Sequence, residues 1–330
     1  MSFAQIEGQQ RAAKILQKEI ATSSLAGAYL FVGPAGVGKT FTALNFAKVL
    51  NCRRGGIDSC DKCSSCIKID HLNHPDVQII QPEGDSLKID QIRVLKRGAA
   101  YKLYEGKKRV WIIEEANKFT LEAANSALKI MEEPPPDTVF ILISETEREI
   151  LPTILSRCEI VRFFSLSPEQ IREIIINYLP QDSPKVPLIV NLSRGSIKKA
   201  LLLIKKEENI LKERENIINK LSRNITVDEI FELVANWKNF DEEELKEILN
   251  MILFWFRDLL LLKEGGGTNL INIDKIKKLK EEEKRYSYFA IQDAINTIEA
   301  TRSYLKSNVK PKLALENMWL KLKYPRQVRR

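Results

Sequence analysis

The chain is organised around an eight-residue loop that reads Gly33-Pro34-Ala35-Gly36-Val37-Gly38-Lys39-Thr40. This loop fits the phosphate-loop pattern G-x-x-x-x-G-K-[ST]. An apolar run at residues 28–32 predicts a buried strand before it, and residues 41–50 predict a helix after it. Glycines let backbone N–H groups turn inward, and the open helix end adds unpaired donors and a partial positive charge. The loop therefore predicts a site for ATP or GTP, in which Lys39 reaches the β- and γ-phosphates and Thr40 holds Mg²⁺.

Composition and charge set limits on the class of protein. The chain has 330 residues, of which 44% are hydrophobic and 29% charged, and this suits two or three globular domains. Residues 251–262 are too few for a membrane span, and the N-terminus lacks the pattern of a signal peptide, so we expect a cytoplasmic protein. The net charge of +8 permits contact with nucleic acid without requiring it. We interpret the interleaved charges of residues 275–285 as a solvated helix face.

Strand and helix patterns alternate through the first half of the chain. Further strands are predicted at 77–80, 109–115, 138–144 and 159–164, and helices at 9–22, 89–103 and 120–133. The strands are continuous apolar runs, which is typical of a parallel sheet buried on both faces. The pattern predicts an α/β, doubly wound nucleotide-binding domain over residues 1–164. From residue 165 onward the periodicity is almost entirely helical, and a break at 222–224 divides it into units at 165–222 and 223–330.

Four of the five cysteines form a cluster with the spacing Cys52-x7-Cys60-x2-Cys63-x2-Cys66. Disulfides are rare in the cytoplasm, whereas four thiolates at short paired spacings suit tetrahedral Zn²⁺. The alternative is a set of free thiols beside a loop. We favour zinc in a structural site, carried by an insert at residues 52–66, because four protein ligands leave no position open for chemistry.

Three further features could contribute to nucleotide chemistry. Glu114 and Glu115 end a predicted strand, where one acid would orient Mg²⁺ and the next would polarise the attacking water. The alternative is a pair of surface carboxylates. Ser144 ends the following strand and could hydrogen-bond the γ-phosphate or that water. Arg157 follows a short helix without an acidic partner at helical spacing, so it is either a solvated charge or an arginine finger for the ATP of a neighbouring subunit.

Several of these motifs together resemble the clamp-loader branch of the AAA+ ATPases. The resemblance is carried by residues 28–34, the four-cysteine insert, His74-Pro75-Asp76, residues 124–135, residues 151–158 and residues 308–316. It implies a RecA-like domain followed by a helical lid and an all-α collar. It also implies a five-subunit ring with gamma/tau-type and delta-type subunits, which places a sliding clamp on primed DNA through contacts with the DNA backbone.

The resemblance also implies residue roles. Lys39 and Thr40 would bind nucleotide, Glu114 and Glu115 would be the Walker B pair, and Ser144 would take the sensor-one position. Arg157 would be the finger that reaches a neighbouring subunit, and the four clustered cysteines would bind zinc.

Two positions depart from the pattern of the motor subunits of this family. Glu114 replaces the usual aspartate, and Lys198 stands where a motor subunit would have a sensor-two arginine, so the charge is kept and the planar fork is lost. The departures favour a subunit that binds ATP and hydrolyses it poorly. The alternative is a motor subunit that hydrolyses ATP itself.

Overall fold

The computed structural model describes residues 2–99, 102–179, 183, 185–205, 207–237, 240–267, 270–307 and 309–324. The chain divides into two compact units. The first comprises Met1–Gln181 and Ser193–Leu201, and the second comprises Asp182–Leu192 and Leu202–Arg330. The three-domain division at residues 164 and 222 stays a prediction.

The first unit is built on a five-stranded parallel sheet. Its strands are β1 (Ala28–Val32), β2 (Val77–Ile80), β3 (Arg109–Ile113), β4 (Thr138–Ser144) and β5 (Glu159–Arg162). Their order across the sheet is β2-β3-β4-β1-β5. All residues of β1, β3 and β4 are buried, which explains why these three strands read as unbroken apolar runs.

Strand register places three predicted site segments at one edge of the sheet. Val32 at the end of β1 pairs with Ser144 at the end of β4, and Ile113 at the end of β3 pairs with Leu142. The phosphate loop follows β1 directly, and Glu114 follows β3. Parallel strands end on the same side, so these groups converge there, as expected for a doubly wound sheet.

Within the part of the chain that the structure describes, seven α-helices accompany the sheet up to residue 175. They are α1 (Gln10–Ala21), α2 (Lys39–Asn51), α3 (Ser64–Asp70), α4 (Ile89–Ala99), α5 (Leu121–Glu132), α6 (Pro152–Leu155) and α7 (Pro168–Ile175). The sequence analysis did not predict α3, which begins inside the cysteine insert and continues to Asp70.

Some predicted ends are wrong. The helix expected over 89–103 ends at Ala99 among the described residues, because the N–H groups of Tyr104, Glu105 and Gly106 all donate to the carboxylate of Asp76 instead of continuing a helix. The strand expected over 109–115 stops at Ile113, and the one expected over 159–164 stops at Arg162.

The remainder of the described chain is helical, as predicted. The helices are α8 (Val186–Ser193), α9 (Ile197–Lys205), α10 (Glu207–Leu221), α11 (Val227–Asn236), α12 (Glu242–Lys263), α13 (Ile276–Glu283), α14 (Tyr288–Lys306) and α15 (Pro311–Lys323). In the second unit, α10 to α15 enclose an apolar core centred on Trp255 and Trp319. The predicted break at 222–224 lies between α10 and α11. Within the described ranges, no helix combines the length and apolarity that crossing a bilayer requires.

Candidate functional site

The phosphate loop connects β1 to α2 and depends on its glycines. Gly38 is the residue before α2 and has φ +101°, in the left-handed region that favours glycine. A Cβ built on Gly38 would meet nothing within 4 Å, so the loop leaves open space at the start of α2. This open, positively polarised helix end fits a phosphate group.

Lys39 folds back over its own loop. Its ammonium donates to the carbonyl oxygen of Gly33 and, at 2.6 Å, to that of Pro34. The residue is only 7% exposed. Burial lowers the pKa of Lys39 to about 8, and the nearby charges of Glu145 and Glu114 oppose that shift only in part. The structure thus places the cation inside the loop, where phosphate oxygens would replace the two carbonyl oxygens as its partners.

Thr40 and Glu114 meet at the carboxyl edge of the sheet, although 74 residues separate them. The Thr40 hydroxyl donates to one carboxylate oxygen of Glu114, and the amide of Gln81 donates to the other at 2.7 Å. A hydroxyl beside a carboxylate is an oxygen-donor pair of the kind that Mg²⁺ prefers. Gln81 follows β2, and the sequence analysis missed it because a lone glutamine after a short strand carries no motif.

Glu115 lies apart from this pair. It has φ +49° and stands before a short 3-10 helix, Ala116–Lys118. Its carboxylate forms an ion pair with Lys118 at 2.7 Å and is 56% exposed. The two adjacent acids of the sequence therefore differ in surroundings, since one faces the phosphate loop and the other pairs with a surface lysine.

Ser144 is buried at the end of β4, next to the phosphate loop. The N–H of Gly33 donates to the Ser144 carbonyl at 3.3 Å. The Ser144 hydroxyl donates to the carbonyl of Thr146 at 2.9 Å. Ser144 therefore lies beside the phosphate loop, and its hydroxyl is hydrogen-bonded within the turn that follows β4. Its role in nucleotide chemistry stays a prediction.

Lys198, near the start of α9, contacts the phosphate loop through its backbone. Its N–H donates to the Gly36 carbonyl at 3.1 Å. Gly36 has φ +72°, and an added Cβ would lie 2.2 Å from the Ser196 hydroxyl oxygen and 2.8 Å from the Lys198 Cβ. The start of α9 therefore packs so closely on the loop that only glycine fits at position 36.

Gln9 is a second support that the sequence analysis missed. Its buried amide donates to the carbonyls of Val37 at 3.2 Å and Phe164 at 2.7 Å, and it accepts from the Phe164 N–H at 3.2 Å. These bonds tie the phosphate loop to the chain after β5. The sequence offered no signal for this role, because Gln9 reads as the first residue of a surface helix.

Arg157 has an acidic partner that helical spacing could not reveal. One guanidinium nitrogen lies 2.5 Å from the Glu132 carboxylate at the end of α5, and another donates to the Thr153 carbonyl at 2.9 Å. The Arg157 side chain is 36% exposed. It is outside the group formed by Lys39, Thr40 and Glu114, so it does not complete the nucleotide site of its own chain by these contacts.

The four clustered cysteines come together as predicted. The sulfur atoms of Cys52, Cys60, Cys63 and Cys66 all lie within 4.8 Å of one another. A tetrahedral zinc site with Zn–S bonds of about 2.3 Å has S–S edges of about 3.8 Å, so the cluster fits such a site after a small contraction.

The electrostatic surroundings of the cysteines also suit a metal. The N–H groups of Lys62 and Cys63 lower the pKa of Cys60 to about 6. Burial acts to raise the pKa of the Cys63 thiol, but the N–H groups of Arg53 and Cys66 outweigh it and leave the pKa low. Burial raises the pKa of Cys66 well above its usual value. The low pKa of Cys60 favours its thiolate, and a bound cation would favour deprotonation of the buried Cys66 thiol.

Buried polar contacts join the cysteine insert to the sheet. The Ser65 hydroxyl lies 3.0 Å from His74 Nε2, and the His74 Nδ1 accepts from the Asp76 N–H at 3.2 Å. Asp76 in turn accepts three backbone N–H bonds of 2.8–2.9 Å from residues 104–106. The His74-Pro75-Asp76 motif therefore fixes both the insert and the loop before β3.

The chain is similar to known proteins over most of its length. Two family models match the chain: DNA polymerase III, delta subunit, over residues 8–167, and DNA polymerase III, delta subunit, C terminal, over residues 208–323. The DNA polymerase III subunit delta' of Bacillus subtilis is 32% identical over 96% of this chain and 96% of its own length. The subunit tau of Bacillus subtilis is 26% identical over 95% of this chain, which spans 60% of that protein.

A solved structure shares the fold. A DNA polymerase III gamma subunit-related protein from Thermotoga maritima superposes with a TM-score of 0.52 at 19% identity, covering 94% of this chain and 98% of its own. At that identity the match supports the fold alone.

Proposed function

We infer a function for this chain from one premise: it belongs to the delta' subunits of DNA polymerase III. We propose that it binds ATP in a clamp-loader ring and donates Arg157 to the nucleotide site of a neighbouring subunit. The single observation that carries the proposal is the convergence of Lys39, Thr40 and Glu114 at one sheet edge, while Arg157 lies outside that group.

The phosphate loop supports ATP binding. Residues 33–40 would hold the phosphates, with Lys39 turned from the Gly33 and Pro34 carbonyls toward phosphate oxygens. Thr40 and Glu114 would hold Mg²⁺, which neutralises phosphate charge when bound. Lys198 would add a positive charge from the start of α9.

Hydrolysis at this site should be slow. Glu115, the residue that would polarise water, is engaged with Lys118 at 2.7 Å. The Ser144 hydroxyl is engaged with the Thr146 carbonyl. Both groups would have to exchange partners before acting on a nucleophile. Glu114 is also one methylene longer than the usual aspartate.

Arg157 suits the role of a finger because it is anchored and partly exposed. The Glu132 carboxylate and the Thr153 carbonyl hold two guanidinium nitrogens. A planar guanidinium held this way keeps further N–H donors for phosphate oxygens. In a ring, it would tighten a subunit boundary while ATP is bound there and release it after hydrolysis.

The proposed partners follow from the family. They are gamma/tau-type and delta subunits in a five-membered ring, a sliding clamp, and primed DNA contacted through its backbone, all in the cytoplasm. We further propose that Cys52, Cys60, Cys63 and Cys66 bind one structural Zn²⁺, since their sulfur atoms already converge.

ATP turnover by a reconstituted loader tests the proposal. The assay would contain this chain, its gamma-type and delta partners, clamp and primed DNA. Arg157→Ala should reduce turnover at the boundary it serves by about 10³-fold, while Lys39→Ala should leave loader turnover nearly unchanged. Arg162→Ala removes another exposed arginine of the first unit, paired with Glu147, and is the matched control.

The alternative function gives the opposite result. If Lys39→Ala removes most turnover and the isolated chain hydrolyses ATP, the chain is a motor subunit and Glu114 is an active Walker B variant. If Arg157→Ala and Arg162→Ala behave alike, the finger assignment is wrong.

A further inference from the structure

A basic groove lies at the end of α10 in the second unit. It encloses about 460 Å³, a volume typical of ligand-binding clefts. We call it the α10–α13 groove, and its described lining residues are Asn216, Asn219, Lys220, Ser222, Arg223 and Lys278. Three of the six are cations, the other three are polar, and none of the six is a carboxylate or an aromatic residue.

The cations of the groove are held in place by neighbours. Lys278 donates to the Asn219 side-chain oxygen at 2.7 Å, which leaves the amide N–H groups of Asn219 available to a ligand. Lys220 and Arg223 share the Glu229 carboxylate, at 3.4 Å and 2.5 Å. Arg223 is nevertheless 56% exposed. One carboxylate cannot neutralise both cations, so positive charge remains in the groove.

The end of α10 would repel an anion if its carbonyl oxygens were free. They are covered. Lys323 donates to the carbonyls of Leu221 at 2.6 Å and Arg223 at 2.9 Å, and Arg285 donates to that of Ser222 at 3.4 Å. The helix end therefore carries two further positive charges where its dipole is negative.

The α10–α13 groove and the residues behind it carry a net positive charge. The described cations in and behind the groove are Lys220, Arg223, Lys278, Arg285 and Lys323. The carboxylates paired with them are Glu229 and Glu282. Five cations against two carboxylates leave an excess of three positive charges.

We propose that the α10–α13 groove binds the phosphate backbone of a DNA strand. Lysine, arginine and amide N–H groups are the usual donors to backbone phosphates. The groove is open and larger than one phosphate needs, and with no aromatic residue in its described lining it offers bases no stacking surface. Binding should therefore be salt-dependent and insensitive to sequence. This inference deepens the proposed contact with primed DNA and rests on it.

The test measures DNA binding by the full chain alone, without nucleotide or ring partners. The probe is a fluorescent oligo-dT strand, followed by anisotropy at pH 7 over a series of salt concentrations. Each phosphate contact on a single strand contributes about 0.7 to the slope of log K against log salt. Arg223→Gln combined with Lys278→Gln should thus lower the slope by about 1.4 and weaken binding at least tenfold at about 50 mM salt.

Three further variants make the result specific. Lys310→Gln with Lys312→Gln removes the same charge from an exposed site of the second unit and should change binding less than twofold. Arg223→Lys with Lys278→Arg keeps the charges and should bind like the wild type. Glu229→Gln keeps a side-chain oxygen for the cap of α11 and removes the negative charge that Lys220 and Arg223 share. Binding of oligo-dT should therefore tighten severalfold, by no more than one additional phosphate contact would contribute.

Several outcomes would overturn the inference. They are wild-type affinity and slope in the groove variant, an equal loss in the Lys310 and Lys312 control, or saturable binding of inorganic phosphate without any binding of oligo-dT. If the groove does not bind DNA, the groove variant will support loader turnover as the wild type does. If the proposed function is wrong, the Arg157 and Lys39 variants will show it in the turnover assay.

Discussion

Replacing Gly36 by alanine tests whether α9 fixes the phosphate loop. Gly36 and Gly55 share φ +72°, but their surroundings differ. A Cβ at Gly36 would lie 2.2 Å from the Ser196 hydroxyl oxygen and 2.8 Å from the Lys198 Cβ, whereas a Cβ at Gly55 would meet nothing within 4 Å. Gly55→Ala therefore measures the cost of the backbone conformation alone.

The expected magnitudes follow from those contacts. The left-handed conformation costs alanine about 1 kcal/mol at either position. At Gly36 the overlap adds about 1–3 kcal/mol, and loss of the hydrogen bond from the Lys198 N–H adds about 1 kcal/mol. The total free energy of unfolding should fall by about 3–5 kcal/mol for Gly36→Ala and by about 1 kcal/mol for Gly55→Ala.

Hydrogen exchange of peptides from β1 and α2 would report this loss for the first unit by itself. A fluorescent ATP analogue would report binding, which we expect to weaken at least tenfold for Gly36→Ala and to stay within twofold for Gly55→Ala. Ser196→Ala should restore part of the stability of Gly36→Ala, because the nearest overlapping atom is removed. Equal losses at the two glycines, or no rescue, would refute the reasoning.

Three other predictions concern Asp76, the cysteine cluster and Lys39. Asp76→Asn should cost about 3 kcal/mol in urea unfolding, since three N–H groups lose a charged acceptor, whereas exposed Asp85→Asn should cost less than about 0.5 kcal/mol. Burial acts to raise the pKa of Asp76, but those N–H donors keep it low, so its stabilisation exists above the unfolded pKa of about 4 and fades as pH falls below it. Cys63→Ser should lower bound zinc from one per chain to none in elemental analysis after treatment with a chelator, and full retention would contradict a four-thiolate site. Because burial lowers the pKa of Lys39 to about 8, affinity for ATP should fall as pH rises from about 7 to 9, and a flat titration would contradict a charged lysine as phosphate ligand.

Much of the first unit could be predicted because its signals are local. Strands β1, β3 and β4 are buried along their whole length and must be continuous apolar runs. The phosphate loop and the cysteine cluster have spacings that chemistry restricts to a few uses. Thr120 caps α5 by accepting from the Ala123 N–H at 3.2 Å, as a threonine at the start of a helix commonly does.

Errors arose where a distant side chain replaced local hydrogen bonding. The helix predicted to reach residue 103 ends at Ala99 among the described residues, because the Asp76 carboxylate takes the N–H groups of residues 104–106. Helical periodicity cannot reveal an acceptor more than twenty residues away. Likewise, helical spacing could not reveal the acidic partner of Arg157, because that partner, Glu132, is 25 residues away in the sequence.

The sequence by itself determined the parallel α/β class, the glycine loop, the four converging thiols and the helical second half, since each depends on neighbouring residues or fixed spacing. Only the tertiary structure decided that Thr40 and Gln81 both meet Glu114 and that α9 closes on Gly36. Strand order and register bring such pairs together across tens of residues. Partners at that distance are chosen by the packing of the whole domain, because a local pattern of residues does not specify which distant side chain completes a hydrogen bond.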